Sequence, residues 1–159
     1  MSFPVLTTIG ENADFVRALS ANGVAFIIVG GLAVAFYQCR DPDDVDDLDL
    51  MLRPDEPNMR NLISTLLALG HECSWSARDL AKPNVQVPIK NIYYLDILTP
   101  PACLAWDELV YSVAPALLNG IPVRVIGRNH LIALKQTAVE SAKRVSTKHI
   151  EDLRRLEGA

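Results

Sequence analysis

A chain of 159 residues that is 50% hydrophobic and 21% charged has the material for one domain with a substantial core, and it is too apolar to remain disordered. Its net charge of −4 excludes a strong non-specific nucleic-acid binder, which needs a basic surface. No apolar run approaches the roughly 20 residues that span a bilayer, no signal-peptide pattern opens the chain, and Cys39, Cys73 and Cys103 make no disulfide framework, so a cytoplasmic location without membrane attachment is expected. The charge is uneven: residues 1–120 hold 7 basic and 15 acidic side chains, residues 121–159 hold 8 and 4. An acidic part and a basic tail suit a phosphate-bearing ligand held between them, although a helix with a charged outer face gives the same pattern.

In chain order, residues 13–22 read as a helix with Phe15, Val16 and Leu19 inward, Asn12 as a candidate N-cap and Asn22-Gly23 as its stop. Six consecutive apolar residues, 24–29, suit a strand covered on both faces. Gly30 and Gly31 follow; without Cβ atoms they allow a sharp turn and the close approach of a ligand. The helix they open, 32–38, would offer free N–H groups that favour an anion. Arg40 then has two readings, an ion pair with the acidic run beside it or a contact to a phosphate, and the ion pair is the plainer one. Asp41, Asp43, Asp44 and Asp46 read as a solvated loop. Asp47 and Asp49 differ, because they alternate with Leu48 and Leu50 on a strand that runs on to Leu52. Alternation puts both carboxylates on one face with Cα atoms roughly 6.5–7 Å apart. Carboxylates in an apolar strand are costly unless they meet a cleft, a partner or a metal, and paired carboxylates suit hard cations such as Mg²⁺.

Beyond them the Arg53–Pro57 stretch is a break, and residues 56–69 form a helix with Met59, Leu62, Ile63, Leu66 and Leu67 as its apolar face. Residues 71–75 suggest a short strand, and His71 with Cys73 lacks the second ligand pair that zinc needs. Residues 76–84 read as a loop and 85–89 as a strand. Lys90-Asn91 makes a turn into a strand over 92–98, with Tyr94, Asp96 and Leu98 on one face. A helical turn is expected at 104–110. Strands over 111–118 and 121–126 flank Asn119-Gly120, a strong hairpin pair. Asn129 is a candidate cap for a helix over 130–141, with Leu131, Ile132 and Leu134 inward, and a last helix covers 147–156.

Strand, Gly30-Gly31, helix, then Asp47-Leu48-Asp49 on the next strand together resemble the signature of the nucleotidyltransferase superfamily, the DNA polymerase beta-like fold. In that family a third carboxylate comes from a later neighbouring strand, and Asp96 stands at such a place. Small bacterial members often follow a glycine-containing hairpin with a hydrophobic-x-x-Leu-Lys helix and then a helix carrying Lys and Asp. Leu131, Ile132, Leu134 and Lys135 match the first, and Lys148, Asp152 and Leu153 the second. Two positions depart from the pattern: Val45 stands where the family often has Ser or Thr, and His149 where it often has Asp. The resemblance runs from about Asn12 to Leu156.

The resemblance implies an α+β fold, a mixed sheet flanked by helices in a single domain over 1–159. It implies Mg²⁺-dependent transfer of a nucleoside monophosphate from a nucleoside triphosphate (NTP) to an acceptor. Asp47, Asp49 and Asp96 would be the catalytic carboxylates and the ligands of two Mg²⁺ ions. Gly30 and Gly31 would approach the triphosphate, with Arg40 and Lys135 as cations near it; an exposed helix lysine is an equal reading of Lys135. The acceptor could be an RNA end, a protein hydroxyl or a small molecule such as an aminoglycoside or lincosamide. Antibiotic adenylyltransferases and components of toxin–antitoxin pairs belong to the superfamily, so a partner protein or a homodimer could hold the acceptor. The alternative is a non-catalytic regulatory or partner-binding module on the same fold, and behind it a plain interaction domain.

Overall fold

The computed structural model describes residues 3–90, 92–141 and 147–158, without the side chains of 139–141 and 147–149. In chain order, β1 (Val5–Leu6) and α1 (Asn12–Ala21) lead to β2 (Phe26–Val29), α2 (Gly30–Phe36) and, after a short 3₁₀ turn at Pro42–Asp44, β3 (Leu48–Leu52). Then come α3 (Glu56–Ala68), α4 (Ala77–Leu80), β4 (Gln86–Ile89), β5 (Leu95–Leu98) and α5 (Trp106–Tyr111). The hairpin β6 (Ala114–Leu118) and β7 (Ile121–Val125) precedes α6 (Arg128–Ser141) and α7 (Thr147–Gly158).

Among the described residues, seven strands form one mixed sheet in the order β1-β6-β7-β2-β3-β5-β4. The all-apolar β2 therefore lies at its centre, and all four of its side chains are buried. It runs antiparallel to β3 and parallel to β7, while β3 and β5 are parallel. Strand alternation divides the core. Ile28, Leu50 and Ile97 are register neighbours on one face, and each is at most 1% exposed. Val29, Asp49, Asp96 and Pro88 are register neighbours on the other. The hairpin forms at Asn119-Gly120, both with positive φ (47° and 82°), the backbone a two-residue turn of this hand requires.

Buried amides lock the elements that carry the acidic residues. Asn12, fully buried, accepts from Tyr94 N (2.8 Å) and donates to Tyr94 O (3.1 Å) and Thr8 Oγ1 (3.0 Å), fixing the approach to β5. Asn58, fully buried in α3, accepts from Ala25 N (2.8 Å) and donates to Ala25 O and Arg53 O (3.0 Å each), joining α3 to the entry of β2 and the exit of β3. Thr99 Oγ1 accepts from Val85 N (2.8 Å) and donates to Lys82 O (2.6 Å), clamping β4 to the end of β5. A buried amide satisfied on both sides fixes position more firmly than apolar contact alone, because any shift strands a polar group.

Several local expectations give way to tertiary context. Asn12 does not cap α1: Glu11 is the N-cap residue, and the asparagine is drawn into the core by Tyr94. Residues 71–75 form no strand, and the stretch read as a loop holds α4, capped by Ser76 Oγ accepting from Asp79 N. The helix after the glycines begins at Gly30 itself, and Asn129 lies inside α6 rather than at its cap. Strand β5 starts at Leu95, and β6 at Ala114 once α5 has ended at Tyr111. Asn91, Lys148 and His149 lie outside the residues, or the side chains, described.

Candidate active site

The geometry begins with register. Asp49 of β3 lies directly opposite Asp96 of the parallel neighbour β5, and adjacent strands are about 4.8 Å apart. Two residues earlier on the same side stands Asp47, at the mouth of β3. Asp96 is 9% exposed, whereas the Asp47 side chain is about half open to solvent (47%). Opposite the carboxylates, the chain turns from β2 into α2 at Gly30, which has φ +68°. A Cβ there would fall within the Asp49 carboxylate. Gly31 is crowded in the same way by the Arg40 guanidinium. The glycine pair thus leaves room for one carboxylate and one cation.

Burial, and then the negative charge of Asp96, raise the Asp49 pKa from 3.8 to about 7. Asp47 adds to the rise, while Lys135 and Lys90 oppose it. In the absence of a further cation, the pocket carries more negative charge than its own residues neutralise.

The cations are arranged differently from the sequence expectation. Arg40 reaches past the acidic run beside it to the far end of the chain. It makes a two-pronged contact with Asp152 of α7, Nε to Oδ1 at 3.1 Å and Nη2 to Oδ2. Asp41 turns back to accept from Asp43 N, and Asp43, Asp44 and Asp46 are exposed. The physical reason is that the tip of Arg40 faces the protein, where a carboxylate that is 2% exposed needs a partner. Lys135 is not an exposed helix lysine: it is 5% exposed, and its Nζ lies 3.1 Å from Asp152 Oδ2. Burial lowers its pKa, and Asp152 opposes the fall. One carboxylate of α7 therefore holds two cations from α6 and from the segment after α2.

Lys90, read in the sequence only as part of a turn, is the residue that sequence reasoning missed. Its Nζ bridges Asp47 Oδ2 (3.0 Å) and Asp96 Oδ2 (3.4 Å). Burial lowers its pKa, but the hydrogen bond to Asp47 and the charges of both carboxylates outweigh it, and the net shift is upward.

A cavity of about 300 Å³ gathers Gly30, Arg40, Asp47, Asp49, Asp96 and Lys135. A second, of about 330 Å³, shares Gly30, Asp49, Gln86 and Lys135 with it and is walled by apolar side chains that include Met51, Leu98, Leu131 and Leu134. Their common wall joins a charged compartment to an apolar one. The oxygen-only donor set and the unneutralised charge at Asp49 fit a hard divalent cation. No three acidic, histidine or cysteine side chains among the described residues close into a ready-made metal cage; an ammonium, that of Lys90, stands between two of the three carboxylates.

Residues 9–157 match the family described as nucleotidyl transferase of unknown function (DUF2204). The chain belongs to this nucleotidyltransferase family. No curated protein matches the family member in sequence. Solved structures share its fold. The lincosamide antibiotic adenylyltransferase LnuA, in its lincomycin-bound form, superposes with a TM-score of 0.58 at 14% identity, covering 92% of this chain and 94% of that one. ANT(2")-Ia in complex with adenylyl-2"-tobramycin gives 0.57 at 20% identity, covering 91% and 84%. An antigenic nucleotidyltransferase-like protein from Paracoccidioides brasiliensis gives 0.53 at 16%, covering 92% and 74%. The α+β fold expected from Gly30-Gly31 and the Asp-x-Asp strand is the fold these nucleotidyltransferases share.

Proposed function

We propose that the protein transfers a nucleoside monophosphate from a Mg²⁺-bound nucleoside triphosphate to an acceptor hydroxyl, with Asp47, Asp49 and Asp96 as its catalytic carboxylates. The observation that carries the reading is the cross-strand pairing of Asp49 with Asp96 on the cavity-lining face, beside a glycine whose missing Cβ makes room for Asp49. Asp47, Asp49 and Asp96 would hold the divalent cation, and when bound it would supply Lewis-acid stabilisation of the charge that develops on the phosphates.

The remaining work falls to the chain. Lys135 and Arg40, on the same cavity wall, face the triphosphate as point charges, and Gly30 and Gly31 let it approach the backbone. The acceptor oxygen bonds to the α-phosphorus as the bond from that phosphorus to the bridging β-oxygen breaks. Pyrophosphate leaves with the electron pair of that bond, and the hydroxyl proton passes to the Asp96 carboxylate. The apolar compartment beside the carboxylates is large enough to shelter part of a nucleoside or of a small acceptor, which favours a small-molecule acceptor over an RNA end or a protein. A cytoplasmic setting suits the three free cysteines, and no helix among the described residues is long and apolar enough to cross a membrane.

The test is incubation with each α-labelled NTP and Mg²⁺ against a panel of aminoglycosides, lincosamides, RNA ends and protein. Label transferred by the wild type and not by Asp49→Asn supports the reading. Absence of transfer together with absence of Mg²⁺-dependent NTP binding overturns it.

A further inference from the structure

Lys90 follows the edge strand β4 directly. Gln86 and Pro88 point to the cavity side, Pro88 being the register partner of Asp96, and the two-residue period carries Lys90 to that side as well. Its Nζ is 3.0 Å from Asp47 Oδ2 and 3.4 Å from Asp96 Oδ2. It joins the open end of the Asp-x-Asp pair to the carboxylate of the next strand. Asp49 and Lys135 lie on the inner side, where the charged cavity meets the apolar one.

Charge decides what else the site can take. Lys90 offsets one of the three carboxylates, and Arg40 and Lys135, which share the single Asp152 carboxylate, offset another, so the surplus of negative charge is small until a triphosphate enters. A second divalent cation placed between Asp47 and Asp96 would meet the Lys90 ammonium at contact distance, a like-charge encounter at a part-buried site. Either the lysine or the ion occupies that position.

We propose that the Lys90 ammonium is the site's built-in second cation. The protein then binds one divalent ion with its triphosphate, in place of the two that the superfamily resemblance implies. The proposal rests on the nucleotidyltransferase reading of the three aspartates. Lys90 holds one oxygen each of Asp47 and Asp96 on the outer side of the site, and the divalent ion would be held on the inner side by Asp49 with the remaining oxygens of those two carboxylates. The cation next to Asp96 is then part of the chain and does not vary with metal concentration.

The experiment counts ions rather than turnover. Mn²⁺ bound per chain is measured by the loss of the free-ion electron paramagnetic resonance signal, with the protein saturated by α,β-methylene analogues of ATP, GTP, CTP and UTP in turn. One Mn²⁺ per chain is expected for wild type with the analogue that binds, and one for Lys90→Arg, which keeps the charge. Two are expected for Lys90→Met, which keeps the length and removes the charge. Thermal unfolding of each variant checks that it is folded; if Lys90→Met is not, Lys90→Gln takes its place. Two ions in the wild type, or one in the folded neutral variant, overturn the proposal and leave the nucleotidyltransferase reading standing. If no analogue promotes Mn²⁺ binding to the wild type, both fail together.

Discussion

Replacing Asp49 by Asn separates what this residue costs the fold from what it does for a ligand. In the metal-free protein, burial and the neighbouring Asp96 raise the Asp49 pKa from 3.8 to about 7. The folded state therefore holds a proton that the unfolded chain has released between these two pH values. Stability from this group is fully present below about pH 4 and is lost as pH rises through about 7. A shift of about three pH units corresponds to roughly 4 kcal/mol. Asn keeps the shape and has no proton to lose, so at pH 8 it is expected to stabilise the metal-free protein by about 2–4 kcal/mol. For a chain of this size that is a rise in Tm of roughly 5–12 °C. The assay is thermal unfolding of wild type and Asp49→Asn in EDTA at pH 4, 6 and 8. Taking the difference between the two proteins cancels the titration of the groups that do not interact with Asp49. The gain should be small at pH 4 and largest at pH 8, and Mg²⁺ at pH 8 should stabilise the wild type more than the variant. A Tm difference that does not change with pH, or a less stable variant at pH 8, would refute the reasoning.

Other outcomes follow from the same geometry. Gly30→Ala should cost about 1–3 kcal/mol, since it adds a side chain at positive φ and drives a methyl group into Asp49; urea unfolding reads the loss, and unaltered stability would show that the turn relaxes freely. Lys135→Met should weaken NTP binding more than it weakens the fold, because Arg40 still neutralises Asp152; unchanged nucleotide affinity by calorimetry would remove Lys135 from the site. Asp96→Asn should cut the transfer rate at least about 100-fold, the usual contribution of a positioned base; a rate within a few-fold of wild type would deny Asp96 that role.

What the sequence made legible was local. Six apolar residues, two glycines and an alternating Asp-x-Asp are all read within one stretch of about 30 residues, and the sheet places that stretch at its centre, as β2, α2 and β3. Asn119-Gly120 declares a hairpin because its turn chemistry is contained in two residues. Asp96 was singled out by the resemblance to the nucleotidyltransferase superfamily, and alternation within its own strand gave only its face. The partners of Arg40 and Lys135 were not reachable in this way. Asp152 lies 112 residues from Arg40 in the chain, and nothing beside Arg40 signals so distant a partner. Lys90 was hidden for a related reason: its role depends on the β4–β5 register, which places Pro88 opposite Asp96. Asn12 shows the opposite failure, where a correct local preference for capping is overruled by two buried backbone groups of Tyr94.

The proposed chemistry requires that Asp47, Asp49 and Asp96 recruit a metal–triphosphate pair. Isothermal titration of a non-hydrolysable NTP analogue into wild type and into the Asp47→Asn, Asp49→Asn double variant, with Mg²⁺ and with EDTA, addresses this directly. Binding by the wild type that requires Mg²⁺ and disappears in the folded double variant is the expected result. Equal affinity with and without Mg²⁺, or full affinity in the double variant, would contradict it.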